Sequence, residues 1–404
     1  MDECFKSVHR EHPKGEKTYP VERFGVAHAK EVNSFHKSFP EYSVTPLVKL
    51  TALAKRLGLE NIWVKDESFR FGLNAFKVLG GSYAIGSYLA ERLGVPLSQL
   101  PYERMISDEV KQKLGTLTFV TATDGNHGRG VAWTASRLGQ KSVVYMPKGS
   151  AQERLENIRA LGADATITEL NYDDAVRLAN ENAKKYGWIM VQDTSWEGYE
   201  DIPGWIMEGY TTMAYEAAQQ LREEKPTHIF LQAGVGAMSG GVTGFFADLY
   251  KDDPHPPIIT IVEPNQADCL YRTAYANDGR LHFVTGEMHT IMAGLACGEP
   301  CTIGWRVLQD HADNFVSMPD YAAAKGMRIL GNPLPGETRV ISGESGAATL
   351  GFVAELMQNS SLGWLRDQLE IDASSKVLCF STEGDTDKDG YRDIVWDGKH
   401  SSCE

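Results

Sequence analysis

Nowhere in the 404 residues does an apolar run approach the roughly 20 positions that cross a bilayer, which argues against a membrane span. The first stretch, "MDECFKSVHREHPKGEKTYP", lacks the apolar centre of a secretory signal, so it is expected to be a loose or docked arm and the protein to be cytoplasmic. Basic clusters are missing too. The formal charge is −14 and the lysines and arginines are scattered, which disfavours nucleic acid and anionic membranes and leaves small molecules as partners. The six cysteines (Cys4, Cys269, Cys297, Cys301, Cys379, Cys403) have neither C-x-x-C pairing nor the density of a disulfide scaffold, and are expected to be mostly reduced thiols. Cys297 and Cys301 lie closest together, but with only His289 nearby they are not expected to make a metal site. Internal repeats and low-complexity tracts are absent.

What is present is the composition of a soluble globular protein, 42% hydrophobic and 23% charged, in a chain long enough for about two domains with a cleft between them. From residue 117 onward, apolar runs of strand length alternate with longer amphipathic stretches. "LTFVTAT" precedes residues 127–138, "KSVVYMP" precedes 151–161, "DATITEL" precedes 173–186, and "GWIMVQD" follows. Such a βαβαβ rhythm predicts a parallel sheet covered on both faces, with ligands at the strand ends. A second α/β unit is expected from "THIFLQAG", a helix over 239–250, "PIITIVEP" and "KVLCFSTEG"; the turn-rich "WEGYEDIPGW" at 196–205 is expected to cross between domains.

Three loops after strands draw the chemistry. "TATDGNHGRG", residues 121–130, flanks an Asn-His pair with glycines and suits an anionic group meeting main-chain N–H groups, or simply a tight turn capped by Asp124. "QAGVGAMSGGV", residues 232–242, suits a phosphate of mononucleotide size; it lacks the lysine of nucleotide hydrolases and a convincing acidic residue for a dinucleotide. "STEGDTDKDG", residues 381–390, imitates a calcium loop, but Trp396 stands where the bidentate glutamate belongs, and calcium is rejected. The hydroxyls of Ser381 and Thr382 are then available to a ligand. A single lysine, Lys77, interrupts the apolar "NAFKVLGG" at a helix start.

One amine, two anion-friendly glycine loops and a strand-end hydroxyl together resemble the fold-type II enzymes of pyridoxal phosphate, the family of serine and threonine dehydratases. The likeness spans most of the chain. "NAFKVLGG", "TDGNHG", "GVGAMSGG" and "TEGD" stand for the family's lysine, ring-flanking, phosphate and ring-nitrogen motifs. Asp124 replaces the family's usual serine before Gly-Asn-His. With "KDESFRFGLNAFK", "MPKGSAQER", "VQDTSWEGY", "IMAGLACGEP" and "STEGDTD", it resembles the branch acting on 2,3-diaminopropionate. The resemblance implies an α/β, tryptophan synthase β-like fold of two parallel-sheet domains with the active site between them. It further implies a discontinuous cofactor-binding domain, 1–94 with 201–404, a smaller domain over 95–200, a homodimer, and elimination giving pyruvate and two molecules of ammonia.

It also implies site residues. Lys77 would form the imine, helped by the apolar Phe76, Val78 and Leu79, which desolvate its amine; Lys65 and Lys148 are expected to be exposed. Gly234, Val235, Gly236, Ala237 and Met238 would hold the phosphate, Asn126 the ring hydroxyl, and Thr382 the ring nitrogen, unprotonated and therefore favouring elimination over transamination. Thr123, Gly125 and His127 would hold the substrate carboxylate, with capping or packing as the lesser reading for His127. Lys77 and Asp124 would work on opposite faces of the substrate, so that both D and L isomers react. A carboxylate here attracts the second ammonium, and Asp193 is a further candidate for it, with a strand-end cap or surface ion pair as an equal alternative. Glu344 borders the site without an assigned role. Other readings are a serine or threonine dehydratase, a nucleotide-dependent oxidoreductase and an amino-acid binding protein.

Overall fold

The structure, a computed structural model, describes residues 4–11, 18–123 and 125–402. Eleven strands are described: β1 (Lys6–His9), β2 (Leu47–Lys49), β3 (Asn61–Asp66), β4 (Thr118–Ala122), β5 (Lys141–Met146), β6 (Asp164–Ile167), β7 (Ile189–Met190), β8 (His228–Gln232), β9 (Ile258–Pro264), β10 (Asn314–Met318) and β11 (Lys376–Ser381). They form two sheets, in the orders β1-β10-β9-β8-β11-β3-β2 and β6-β5-β4-β7.

The smaller sheet is wholly parallel. The larger is mixed, which corrects the expectation of two parallel sheets: β10, β9, β8, β11 and β3 run parallel, but β1 and β2 pair antiparallel at its edges. Both edge strands are short and half-exposed, with no continuous apolar run to betray them. The arm is thus docked where it is described. The stretch expected to cross between domains is in part regular: helix Asp201–Leu221 begins inside it, with Pro203 in the first turn, where its missing N–H costs no helical bond.

Helix Val78–Leu93 holds the two halves together. It is buried over most of its length and packs on helices Asp201–Leu221 and Asn126–Arg137. Small residues permit that approach: a Cβ on Gly209 would lie 2.4 Å from Leu79 O, and one on Gly130 2.8 Å from Val78 Cα. The start of this helix is thereby set against the C-terminal ends of strands from both sheets. No helix among the described residues is long and apolar enough to cross a membrane.

Lys65 is not the exposed lysine expected. It lies on β3, fully buried, and its Nζ donates to Glu216 Oε2, Thr45 O and Gln220 Oε1, each at 2.8 Å. Arg70 and Glu67 complete this buried network, which pairs each charge and so makes its burial tolerable. Lys148 is exposed, 3.3 Å from Glu169.

Candidate active site

Lys77 immediately precedes helix Val78–Leu93, with backbone angles already helical (φ −62°, ψ −18°). Its neighbour Phe76 donates its N–H to Thr382 O at 3.0 Å, which ties the lysine's backbone to the end of β11. The Lys77 amine reaches across to the smaller sheet and donates to Asp193 Oδ2 at 2.6 Å, three residues beyond β7. Burial raises the Asp193 carboxyl, but the charges of Lys77 and then His127 outweigh it and hold the group at about 2. Tyr172 Oη donates to its other oxygen at 3.4 Å.

Around this pair lies a cavity lined by Phe76, Lys77, Asn126, Asp193, residues 232–239, Thr382 and Glu383 among others. Most of the residues singled out from the sequence therefore converge. Gly236 caps helix Ala237–Leu249 in the left-handed region (φ 93°), a conformation open to glycine, and the helix start faces the cavity. A Cβ on Gly234 would come within 3.2 Å of Leu295 Cα.

The second glycine loop is arranged differently from a simple carboxylate cradle. Thr123 Oγ1 accepts from Gly125 N at 3.0 Å, closing a turn whose Gly125 (φ 153°) starts helix Asn126–Arg137. Asn126 Nδ2 donates to Glu383 Oε2. His127 is buried, its Nε2 2.8 Å from Val191 O and its Nδ1 3.9 Å from Asp193 Oδ2, so the ring is anchored to the backbone beside the carboxylate. Asp124 lies outside the described residues.

Several residues of the site carried no assignment from sequence. Tyr210 packs against Phe76 with ring centroids 4.7 Å apart and the rings tilted by 51°; burial, then the charge of Asp193, raises its phenol, which stays protonated. Three buried polar atoms on the cavity wall, Tyr210 Oη, Gln232 Oε1 and Ser345 Oγ, have no hydrogen-bond partner among the described residues. Orphaned polar atoms of this kind call for a polar ligand. Glu383 sits next to Thr382 in the quoted loop and accepts from Ser345 N at 3.2 Å. Tyr210 lies within a mostly apolar helix and gave no signal.

Glu344 opens helix Glu344–Gln358 at the wall of a wider cleft that also exposes Lys77, Thr123, Arg154 and Asp193. Burial, then the charge of Glu383, raises its carboxyl to about 7. Cys269, Cys297, Cys301 and Cys379 are free thiols, whereas Cys4 is disulfide-bonded.

The donor set fits pyridoxal phosphate: an amine for an aldehyde, a helix start with close glycine backbone for a phosphate, and a buried hydroxyl at Thr382 for a ring nitrogen. Comparisons agree. The family model described as "Pyridoxal-phosphate dependent enzyme" matches residues 39–363. A diaminopropionate ammonia-lyase of Salmonella typhimurium is 56% identical over 373 residues, covering 91% of this chain and 92% of that protein. The holo diaminopropionate ammonia lyase of Escherichia coli, with selenomethionine incorporated, superposes with a TM-score of 0.91 at 48% identity, over 99% of this chain and 98% of that one. The same enzyme in complex with an aminoacrylate-PLP azomethine reaction intermediate gives a TM-score of 0.89 at 48% identity, over 98% of each chain.

Proposed function

The chain belongs to the pyridoxal-phosphate dependent enzymes, and on that premise we propose that it is a carbon–nitrogen lyase converting 2,3-diaminopropionate and water to pyruvate and two molecules of ammonia. The observation that carries this is the contact of Lys77 with Asp193 inside the glycine-loop cavity. Lys77 would hold the cofactor through its amine, residues 234–238 its phosphate and Thr382 its ring nitrogen. Bound there, pyridoxal phosphate supplies an electron sink for a carbanion at the substrate's Cα.

The rest falls to side chains of this chain. Once the Lys77 amine is committed to the cofactor, the buried carboxylate of Asp193 loses its closest cation. An uncompensated buried charge is costly, and the second ammonium of the substrate is the cation that restores the pair. Held next to a carboxylate, that ammonium stays protonated and departs as ammonia when the Cα–H electrons form the Cα–Cβ double bond. Released when the substrate's α-amine takes its place on the cofactor, Lys77 takes the Cα proton on its own face and Asp124 on the opposite one, which gives turnover of both isomers. Thr123, Gly125 and His127 border the substrate carboxylate. Water then converts the unsaturated amine to pyruvate and the second ammonia.

The four-stranded sheet, within residues 118–190, supports a smaller domain over 95–200 beside a larger one formed by 1–94 and 201–404. The same reading carries a homodimer and a cytoplasmic setting, which light scattering and cell fractionation would check. Product stoichiometry tests the activity: the protein with pyridoxal phosphate and diaminopropionate should release two ammonia per pyruvate. Turnover of serine or threonine alone would instead make it a dehydratase.

A further inference from the structure

Gln232 closes β8, and its side chain reaches the neighbouring β11. The amide nitrogen lies 2.9 Å from Phe380 O, 3.1 Å from Ser345 O and 2.9 Å from Thr382 Oγ1. Two of these three are carbonyl oxygens, which only accept, so the nitrogen end of the amide has to face them. Turned over, the amide would set its oxygen against two carbonyls. The preference is strong enough to leave Gln232 Oε1 buried with no partner among the described residues.

This has a consequence for Thr382. An amide nitrogen accepts no hydrogen bond, so toward Gln232 the threonine hydroxyl can only accept and its own proton has to point elsewhere. Among the described residues Oγ1 has no other hydrogen-bond partner, and Thr382 lines the cavity. We propose that Gln232 is a positioning residue that locks the Thr382 hydroxyl as a donor into the cavity, so that the ring nitrogen it meets has to carry a lone pair and no proton. This rests on the reading above, in which pyridoxal phosphate sits here with its nitrogen toward Thr382. The sequence offers the threonine, but a threonine alone donates or accepts with equal ease. The amide cannot take the threonine proton, which leaves the ring nitrogen as the acceptor that satisfies it. An unprotonated ring is the weaker sink, so electrons return to expel the β-substituent before the cofactor itself is protonated, which favours elimination over transamination.

The test uses the full chain loaded with pyridoxal phosphate carrying nitrogen-15 in the ring, whose NMR shift reports protonation of that atom directly. The unmodified protein should give the shift of a hydrogen-bonded, unprotonated pyridine, flat from roughly pH 6 to 9. Gln232→Glu keeps the shape, and its carboxyl, protonated against the two carbonyls, donates to one of them and offers its oxygen as an acceptor to Thr382. Thr382 should then turn its proton toward the carboxyl, and the nitrogen signal should move to that of a pyridinium. Gln232→Met removes the donor and supplies no acceptor, so its signal should titrate with pH. Pyridoxamine phosphate, the product of stray transamination, should accumulate about tenfold faster in Gln232→Glu, the effect of one lost hydrogen bond. Circular dichroism and cofactor absorbance verify folding and loading of each variant.

A pyridinium signal in the unmodified protein overturns the proposal and needs no substitution to be seen. So does an unprotonated, flat signal retained in both folded variants. Failure of the unmodified chain to take up pyridoxal phosphate at all is a different result: it overturns the cofactor reading beneath the proposal.

Discussion

Lys77 Nζ and Asp193 Oδ2 meet at 2.6 Å, joining the start of helix Val78–Leu93 to the strand ends of the smaller sheet. With the Lys77 amine free and charged beside it, the carboxyl is held at about 2 and is ionised at neutral pH. The amine therefore waits against a fixed negative charge, and both groups face the same cavity. Borohydride reduction of the loaded protein should fix the cofactor to the peptide containing Lys77, read by peptide mass. Lys77→Ala should lose both the label and turnover.

Asp124 is expected to serve one isomer. Removing a positioned acid or base costs about 10²–10⁴-fold, so Asp124→Asn should lower kcat on one enantiomer of diaminopropionate by that order and spare the other more. Separate assays on the D and L substrates check it. Equal, undiminished rates on both would remove Asp124 from the mechanism.

Gly236→Ala should weaken the cofactor more than the fold. A side chain at φ 93° costs about 1–2 kcal/mol, and the new Cβ would also approach Leu270 and Leu308 at 3.2–3.3 Å. The strain falls on the turn that aims the start of helix Ala237–Leu249. Titration of cofactor absorbance should show binding weakened by about tenfold, as 1.4 kcal/mol corresponds to one decade.

Glu344 gives a dependence on pH. Its folded carboxyl stands at about 7 against an ordinary 4.5, so the folded state holds the proton more tightly than the unfolded chain does. The associated stability is complete below about 4.5, is lost as the pH rises through about 7, and is level above it. Glu344→Gln removes this loss. Its melting temperature relative to the unmodified protein should climb between those limits, by the equivalent of as much as about 3 kcal/mol. Melts across the pH range check it.

The parallel rhythm of the smaller sheet was legible because its strands carry short apolar runs between longer amphipathic helices: β4, β5, β6 and β7 all fall within the runs quoted from the sequence. Lys77, Asn126, Asp193, the 234–238 loop and Thr382 likewise share one cavity. Their loops announce themselves by glycine, by position after a strand, and by polar residues where packing would favour apolar ones. Lys65 was misjudged for a physical reason. Its charge is tolerated only because Glu216 and Gln220 lie more than 150 residues away in sequence, a pairing no local pattern reveals. Gln232 stood in a quoted motif without a role, since its meaning depends on two carbonyls from other elements. The edge strands β1 and β2 lack the alternation or continuity that marks buried ones.

The account rests on a buried carboxylate selecting a substrate with two ammonium groups, and the most direct check is kcat/KM for 2,3-diaminopropionate against serine, in the unmodified protein and in Asp193→Asn. The unmodified protein should prefer the diamine by about 100-fold or more, and the variant should lose most of that preference, as about 3 kcal/mol of charge pairing disappears. Equal handling of serine, or a preference unchanged by Asp193→Asn, would contradict it.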